Sequence, residues 1–178
     1  MGKLCMYPGA NFSHYAFQLG PPRFMFLAFS PADWAIAVKE LIRVTKPGGW
    51  IELFEYDMQL QRAGPSFDKL HAALTKVAAT RGIDLGSVHH LPDLTKSLEA
   101  VESDHVSAPL GWDGRASAAT AWALRAEFCA LRERLGSVLG LSEDEYEELV
   151  EKMAGEMAQR RAWVTMPYLY GRKPDGRS

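Results

Sequence analysis

Apolar positions recur along this chain with two periods. Trp34, Val38, Leu41 and Ile42 fall at helical spacing and predict one buried stripe. Ser30 can cap that helix, Pro31 suits its first position, and Asp33 places a carboxylate at the positive helix end. Pro47 and Gly48-Gly49 stop it with a tight turn. Trp50-Ile-Glu-Leu-Phe54 then reads as a short strand, apolar enough to lie well inside a sheet of parallel-type strands. A second stripe, Phe67, Leu70, Leu74 and Val77, predicts a helix capped by Ser66 and stopped by Gly82. Residues 83–91 lack a period and read as loop. Residues 92–102 (Leu94, Leu98, Val101) read as a short helix, and 105–112 as a strand that Pro109 marks as short or as an edge. Ala121, Leu124, Phe128, Leu131 and Leu135 predict a helix over 117–135. Ser142 and Glu145 form a capping box that opens a last helix with an acidic first turn. Before residue 30 the breakers Pro8, Gly9, Gly20, Pro21 and Pro22 predict an irregular segment.

The pattern gives an α/β fold, a small sheet of about three to four strands packed by about five helices. It fits a single domain over 1–178, with an irregular segment over 1–29 and a core over 30–178. At 178 residues the chain can bury a real core, and 47% hydrophobic residues argue against disorder. A net charge of −2 and a pI near 6.2 give no electrostatic footprint for nucleic acid. No run is long enough to span a membrane. The N-terminus lacks a signal-peptide pattern, and Met6 breaks the myristoylation motif. Cys5 and Cys129 form neither a CxxC nor a disulfide framework, and no cluster has metal-ligand spacing. A reduced, cytoplasmic protein without a metal is the expectation.

Glu40-Leu-Ile-Arg-Val-Thr-Lys-Pro-Gly-Gly-Trp-Ile-Glu-Leu53 resembles the stretch leading into the fifth strand of class I S-adenosylmethionine-dependent methyltransferases, in their fungal secondary-metabolism flavour. Trp163-Val-Thr-Met-Pro-Tyr-Leu-Tyr-Gly-Arg-Lys-Pro174 resembles the last strand of that family, and 105–112 fits its sixth. Asn11–Phe17 resembles an altered fourth strand in which His14 survives. The resemblance spans nearly all of this sequence but only the later half of the family's fold. The implied architecture is a truncated Rossmann-like methyltransferase fold. The Gly-rich turn and the acidic residue that hold the cofactor in such folds have no counterpart here.

The same resemblance locates the candidate chemistry. His14 follows the strand that faces cofactor or substrate in the parent fold and is a candidate acid or base; the alternative is a loop or core histidine. Glu55 ends the central strand, where ligand crevices open in α/β sheets; the alternative is a structural carboxylate. Tyr56 and Asp57 share that end. Arg125, at the edge of an apolar helix, can anchor a substrate carboxylate or form a surface ion pair. Tyr15, Tyr56, Trp112 and Trp122 are candidate walls of an apolar pocket, although Trp112, Trp122, Trp163, Tyr168 and Tyr170 also read as core. Adjacent histidines such as His89-His90 are usually solvent-exposed. Cys129 reads as a small core residue.

Three functions follow as expectations. The first is a cofactor-independent small-molecule enzyme, a cyclase or pericyclase of natural-product biosynthesis, with a small apolar molecule as substrate. The second is a methyltransferase using S-adenosylmethionine, completed by another chain or shortened by its gene model. The third is a non-catalytic protein-binding pseudo-enzyme. The bare sheet edge left by the missing strands predicts a wrapping N-terminal segment, a homodimer through that edge, or an unstable fragment.

Overall fold

A computed structural model describes residues 25–176. Among these residues it contains six α-helices, one 3-10 helix and a four-stranded sheet. Helix α1 spans Pro31–Val44, and strand β1 spans Trp50–Phe54. The Ser30 cap forms as the sequence predicts: the Asp33 amide donates to Ser30 Oγ at 3.2 Å, and the Ser30 amide donates to Asp33 Oδ2 at 2.9 Å. That pairing holds the Asp33 carboxyl below its ordinary pKa. Strand β2 is the two-residue piece Leu60–Gln61, and α2 spans Pro65–Thr80.

Ser66 does not cap α2. Gly64 is the N-cap residue and offers no side chain, so Glu156, ninety residues on, supplies the acceptors. Its carboxylate accepts from the Ser66 amide and from Ser66 Oγ, both at 3.0 Å.

Three boundaries differ from the periodic reading. Residues 85–90 form the 3-10 helix rather than loop, capped by Asp84 Oδ1, which accepts from the Gly86 amide at 2.9 Å. The helix expected over 92–102 is only α3, Leu91–Leu94, and strand β3 runs over Glu99–Pro109. Pairing with a long neighbour overrides the helical spacing of Leu98 and Val101, both of which lean on Gly171 of that neighbour. The join shows the conflict as a register shift between Glu99 and Glu102, with Ala100 at φ 47°. The helix expected over 117–135 is two, α4 (Gly114–Ala130) and α5 (Arg132–Leu139), broken at Leu131. Helix α6 spans Glu143–Gln159 behind its expected Ser142–Glu145 capping box, and β4 spans Trp163–Arg172.

Strand β4, not β1, is the hub of the sheet. It pairs antiparallel with β1 and β2 along one edge and with β3 along the other. Every ladder is antiparallel, which corrects the expectation of parallel-type pairing. Strands β1 and β3 run parallel to each other on opposite sides of β4. Pro109 is the last residue of β3, at the edge position its missing N–H requires.

A single apolar cluster joins these parts. Leu53, Val164 and Leu169 of the sheet meet Trp34 and Val38 of α1, Leu91 of α3, and Leu70, Phe128 and Met157 of the longer helices. Tyr146 of α6, fully inside, donates its hydroxyl to Phe128 O at 2.9 Å. No helix among the described residues is long and apolar enough to cross a membrane.

Candidate active site

The chain leaves β1 at Phe54 and re-enters the sheet at Leu60. Between them Glu55, Tyr56, Asp57 and Met58 are all buried. Asp57 turns the backbone: its Oδ1 accepts from the Gln59 amide at 2.8 Å, and Met58 takes φ 53°. A short side chain that bonds its own backbone allows this turn inside the fold, where a free carboxylate would be costly.

The 3-10 helix lies beside the sheet, and the two line one cleft. Its apolar side chains Leu85 and Val88 point into the core, which sets His89 at the surface beside Asp57. His89 Nε2 is 3.8 Å from Asp57 Oδ2, with the imidazole 47% exposed and the carboxylate 5% exposed. This is an electrostatic contact, longer than a hydrogen bond. Burial raises the Asp57 pKa, while the Gln59 amide, His89 and His105 work in the opposite direction.

His89 opens into a cleft of about 300 Å³ between the 3-10 helix and the sheet. Leu53, Leu91 and Leu169 form its apolar side, and Ser103, His105 and Tyr168 add polar groups. His105 stands on β3 opposite Pro167 of β4, its Nδ1 3.3 Å from Asp104 Oδ1. The cleft thus presents two imidazoles, each with a carboxylate beside it, against an apolar wall. Such a set can take a proton from one atom of a bound molecule and return one to another. Among the described residues no group of three or more His, Cys, Asp or Glu is arranged to hold a metal.

The sequence-predicted residues distribute unevenly around this cleft. His14 and Tyr15 lie outside the described residues. Glu55 has no exposed surface, and its amide donates to Pro167 O at 2.9 Å. Tyr56 is buried and stacks on Phe26 at 5.7 Å between ring centroids. Burial raises its hydroxyl pKa, with Glu127 and Asp57 adding to the effect. Neither Glu55 nor Tyr56 lines the cleft, although both belong to the turn that positions Asp57.

Arg125 is in a surface ion pair: its Nε donates to Glu151 Oε1 at 2.8 Å. Trp112 donates from Nε1 to Ala162 O at 2.6 Å and lies under the Arg161 guanidinium. Trp122 is 68% exposed, which corrects its assignment to the core. Its place on α4 faces away from Leu124 and Phe128, the residues that α4 buries. Neither tryptophan lines the cleft.

The sequence pattern gives no sign of Ser103 and His105, and it gives His89 only as half of a solvent-exposed pair, which its 47% exposure bears out. That pair stands in a segment without a period. Asp57 was visible as the residue just past a strand end. Glu127 had no signal at all. It sits on α4 next to buried Phe128, and burial pushes its carboxyl up to about 7.

No protein-family model matches the chain, and no curated protein matches it.

Proposed function

We propose that this chain is a small-molecule enzyme working by proton transfer without a cofactor, of the cyclase or isomerase type, on a methyltransferase-like fold. The observation that supports it is the Asp57–His89 pair at the end of β1, with the carboxylate buried and the imidazole open to a cleft. His89 is the basic group of that pair open to the cleft, within electrostatic reach of a carboxylate at 3.8 Å, and is the candidate to accept a proton from a bound molecule. His105, in the same cleft, is fitted to return one. The apolar wall suits a flexible, largely hydrocarbon substrate such as a polyene or polyketide chain, and a cleft that holds it folded lowers the entropic part of a ring closure.

A second reading, methyl transfer from S-adenosylmethionine, draws support from one relationship. The two stretches that resemble the methyltransferase family are adjacent strands, with Trp50 opposite Arg172 and Leu53 opposite Leu169. A truncated Rossmann-like ancestry accounts for that adjacency under either reading.

Two titrations of the full chain separate the readings. One follows the His89 and His105 ring signals by NMR against a panel of polyenes and polyketide-type ketones. The other is calorimetry with S-adenosylmethionine. The proposal expects a ketone or polyene that shifts both histidines and is converted, with conversion lost in His89→Gln. Micromolar cofactor binding followed by methyl transfer to any acceptor would replace it with the second reading.

A further inference from the structure

A second cleft, of about 350 Å³, lies on the other side of Asp57, between α2 and the turn entering the 3-10 helix. We infer that it binds a small organic ammonium ion with an apolar body, the charge seated against Asp57 and the body against Ile83 and Leu85.

The lining is one-signed. Asp57 and Asp84 both border the cleft, and among the described residues no lysine or arginine does. Its remaining ionisable group is His71, which stacks on Phe67 at 5.4 Å and whose pKa burial lowers, so the ring is held in its neutral form. A cation is therefore the charge that this space favours.

Asp57 offers the seat. The residue is 5% exposed, and its Oδ1 accepts from the Gln59 amide at 2.8 Å. Oδ2 has His89 at 3.8 Å, beyond hydrogen-bond length, and so retains acceptor capacity. An ammonium N–H supplies the missing donor. A buried carboxylate gains more from such a charge-assisted bond than an exposed one.

The chemistry of the walls selects the kind of cation. No arrangement of three or more ligating side chains able to hold a metal exists among the described residues. Ala79, Ile83 and Leu85 give the cleft an apolar side that a hydrated metal ion would waste and a hydrocarbon body would fill. Thr75, at the rim on α2, adds a hydroxyl already bonded to His71 O at 2.9 Å. The site is separate from the His89 cleft, so it does not depend on the proposed reaction. No described residue lines both: His89 borders the first cleft and Asp57 the second.

The test uses benzylamine, with benzyl alcohol as its neutral counterpart, titrated at pH 7 into the isotopically labelled full chain. Saturable amide shifts are expected at Asp84–Gly86 and in the His71 ring. The alcohol should bind at least tenfold more weakly, and Asp57→Asn should weaken amine binding at least tenfold. Thr75→Lys, a rim substitution on the exposed side of α2, brings a competing ammonium to the cleft mouth and should abolish the shifts. Equal binding of alcohol and amine overturns the inference. So does undiminished binding in either variant, or the absence of saturable shifts. If Asp57→Asn does not fold, Thr75→Lys decides the matter alone.

Discussion

The Asp57 carboxylate sits 3.8 Å behind the His89 imidazole, and almost all of its surface is hidden while about half of the ring is open. The pair joins two parts of the chain that have no secondary-structure ladder between them, the β1–β2 crossing and the 3-10 helix. Asp57 is held there by its own backbone turn, and His89 by the burial of Val88 beside it. Two independent local structures thus fix one carboxylate–imidazole pair.

Asp57 places stability and the proposed function in opposition. Burial raises its pKa, so the folded state prefers the protonated carboxyl. Stability from this group is full below the unfolded value of 3.8 and is lost as pH rises through the folded value. At neutral pH the ionised form is thus a cost. Asp57→Asn keeps an oxygen for the Gln59 amide and removes the charge. It should raise the urea midpoint at pH 7, by an amount on the order of 1 kcal/mol in free energy, the scale of relieving one desolvated polar group. His89→Gln should leave the midpoint within about 0.5 kcal/mol, as expected for a half-exposed side chain. Both should lose about 10²-fold or more of any turnover, the range for removing a general acid or base. An Asp57→Asn protein that is less stable at pH 7 but fully stable at pH 4 would reverse this argument.

Glu127 gives the fold a second pH dependence of the same sign. Its carboxyl is pushed from 4.5 up to about 7 by burial. Stability from this group is greatest below 4.5 and falls through the window from 4.5 to 7, after which the loss is constant. At 1.36 kcal/mol per pKa unit the cost above pH 7 has an upper bound of about 3 kcal/mol. Glu127→Gln mimics the protonated form. Denaturation midpoints at pH 5 and pH 8 should therefore differ less in the variant than in the parent, with the variant the more stable at pH 8. The Tyr56 hydroxyl, raised in part by Glu127, should titrate at lower pH in the variant when followed by ultraviolet absorbance. Parallel pH profiles for the two proteins would show that Glu127 ionises freely.

The elements that were legible in the sequence are those decided locally. Ser142–Glu145 places donor and acceptor within one turn and reads directly as a capping box, and Ser30 reads as a cap, although its reciprocal bond with Asp33 emerges only in the structure. The stripe of Phe67, Leu70 and Leu74 likewise fixes one face of α2. What could not be read depends on partners far along the chain. Residues 99–102 have helical spacing but become strand because β4 offers them hydrogen bonds. The same holds for the cleft. Asp57, His89 and His105 come from three segments, and nothing in the spacing of any one of them marks the other two. Arg125 shows the converse, a charged residue on an apolar helix whose partner, Glu151, lies on another helix.

Glu156 should behave as a helix cap for an element ninety residues away. Gly64 leaves the first amides of α2 without a side-chain acceptor, and Glu156 accepts from the Ser66 amide and hydroxyl at 3.0 Å each. Removing an N-cap acceptor costs about 1–2 kcal/mol. Glu156→Ala should therefore lower the thermal midpoint by several degrees, with the earliest loss of amide protection at Ser66–Asp68. Glu156→Gln keeps one acceptor oxygen and loses the favourable charge at the helix N-terminus, so it should fall between the parent and the alanine variant. If glutamine and alanine cost the same, the charge rather than the acceptor is what α2 needs.

Gly171 tests the junction where β3 replaces the expected helix. A Cβ there would stand 2.9 Å from Leu98 Cδ1, 3.1 Å from Leu98 Cβ and 3.2 Å from Val101 Cγ2. Leu98 is buried and cannot simply swing into solvent. Overpacking of this kind costs about 1–3 kcal/mol. Gly171→Ala should therefore lower the urea midpoint, although alanine suits a strand better than glycine does. The clash is with one side chain above all, so trimming that side chain should relieve it. Leu98→Ala alone costs burial, but the double variant should be more stable than the sum of the two single losses predicts. A coupling of at least about 0.5 kcal/mol is the threshold for residues in contact. Strict additivity would mean that β3 and β4 separate at this point, and that the bulge between Glu99 and Glu102, not the glycine, absorbs the helical spacing of Leu98 and Val101.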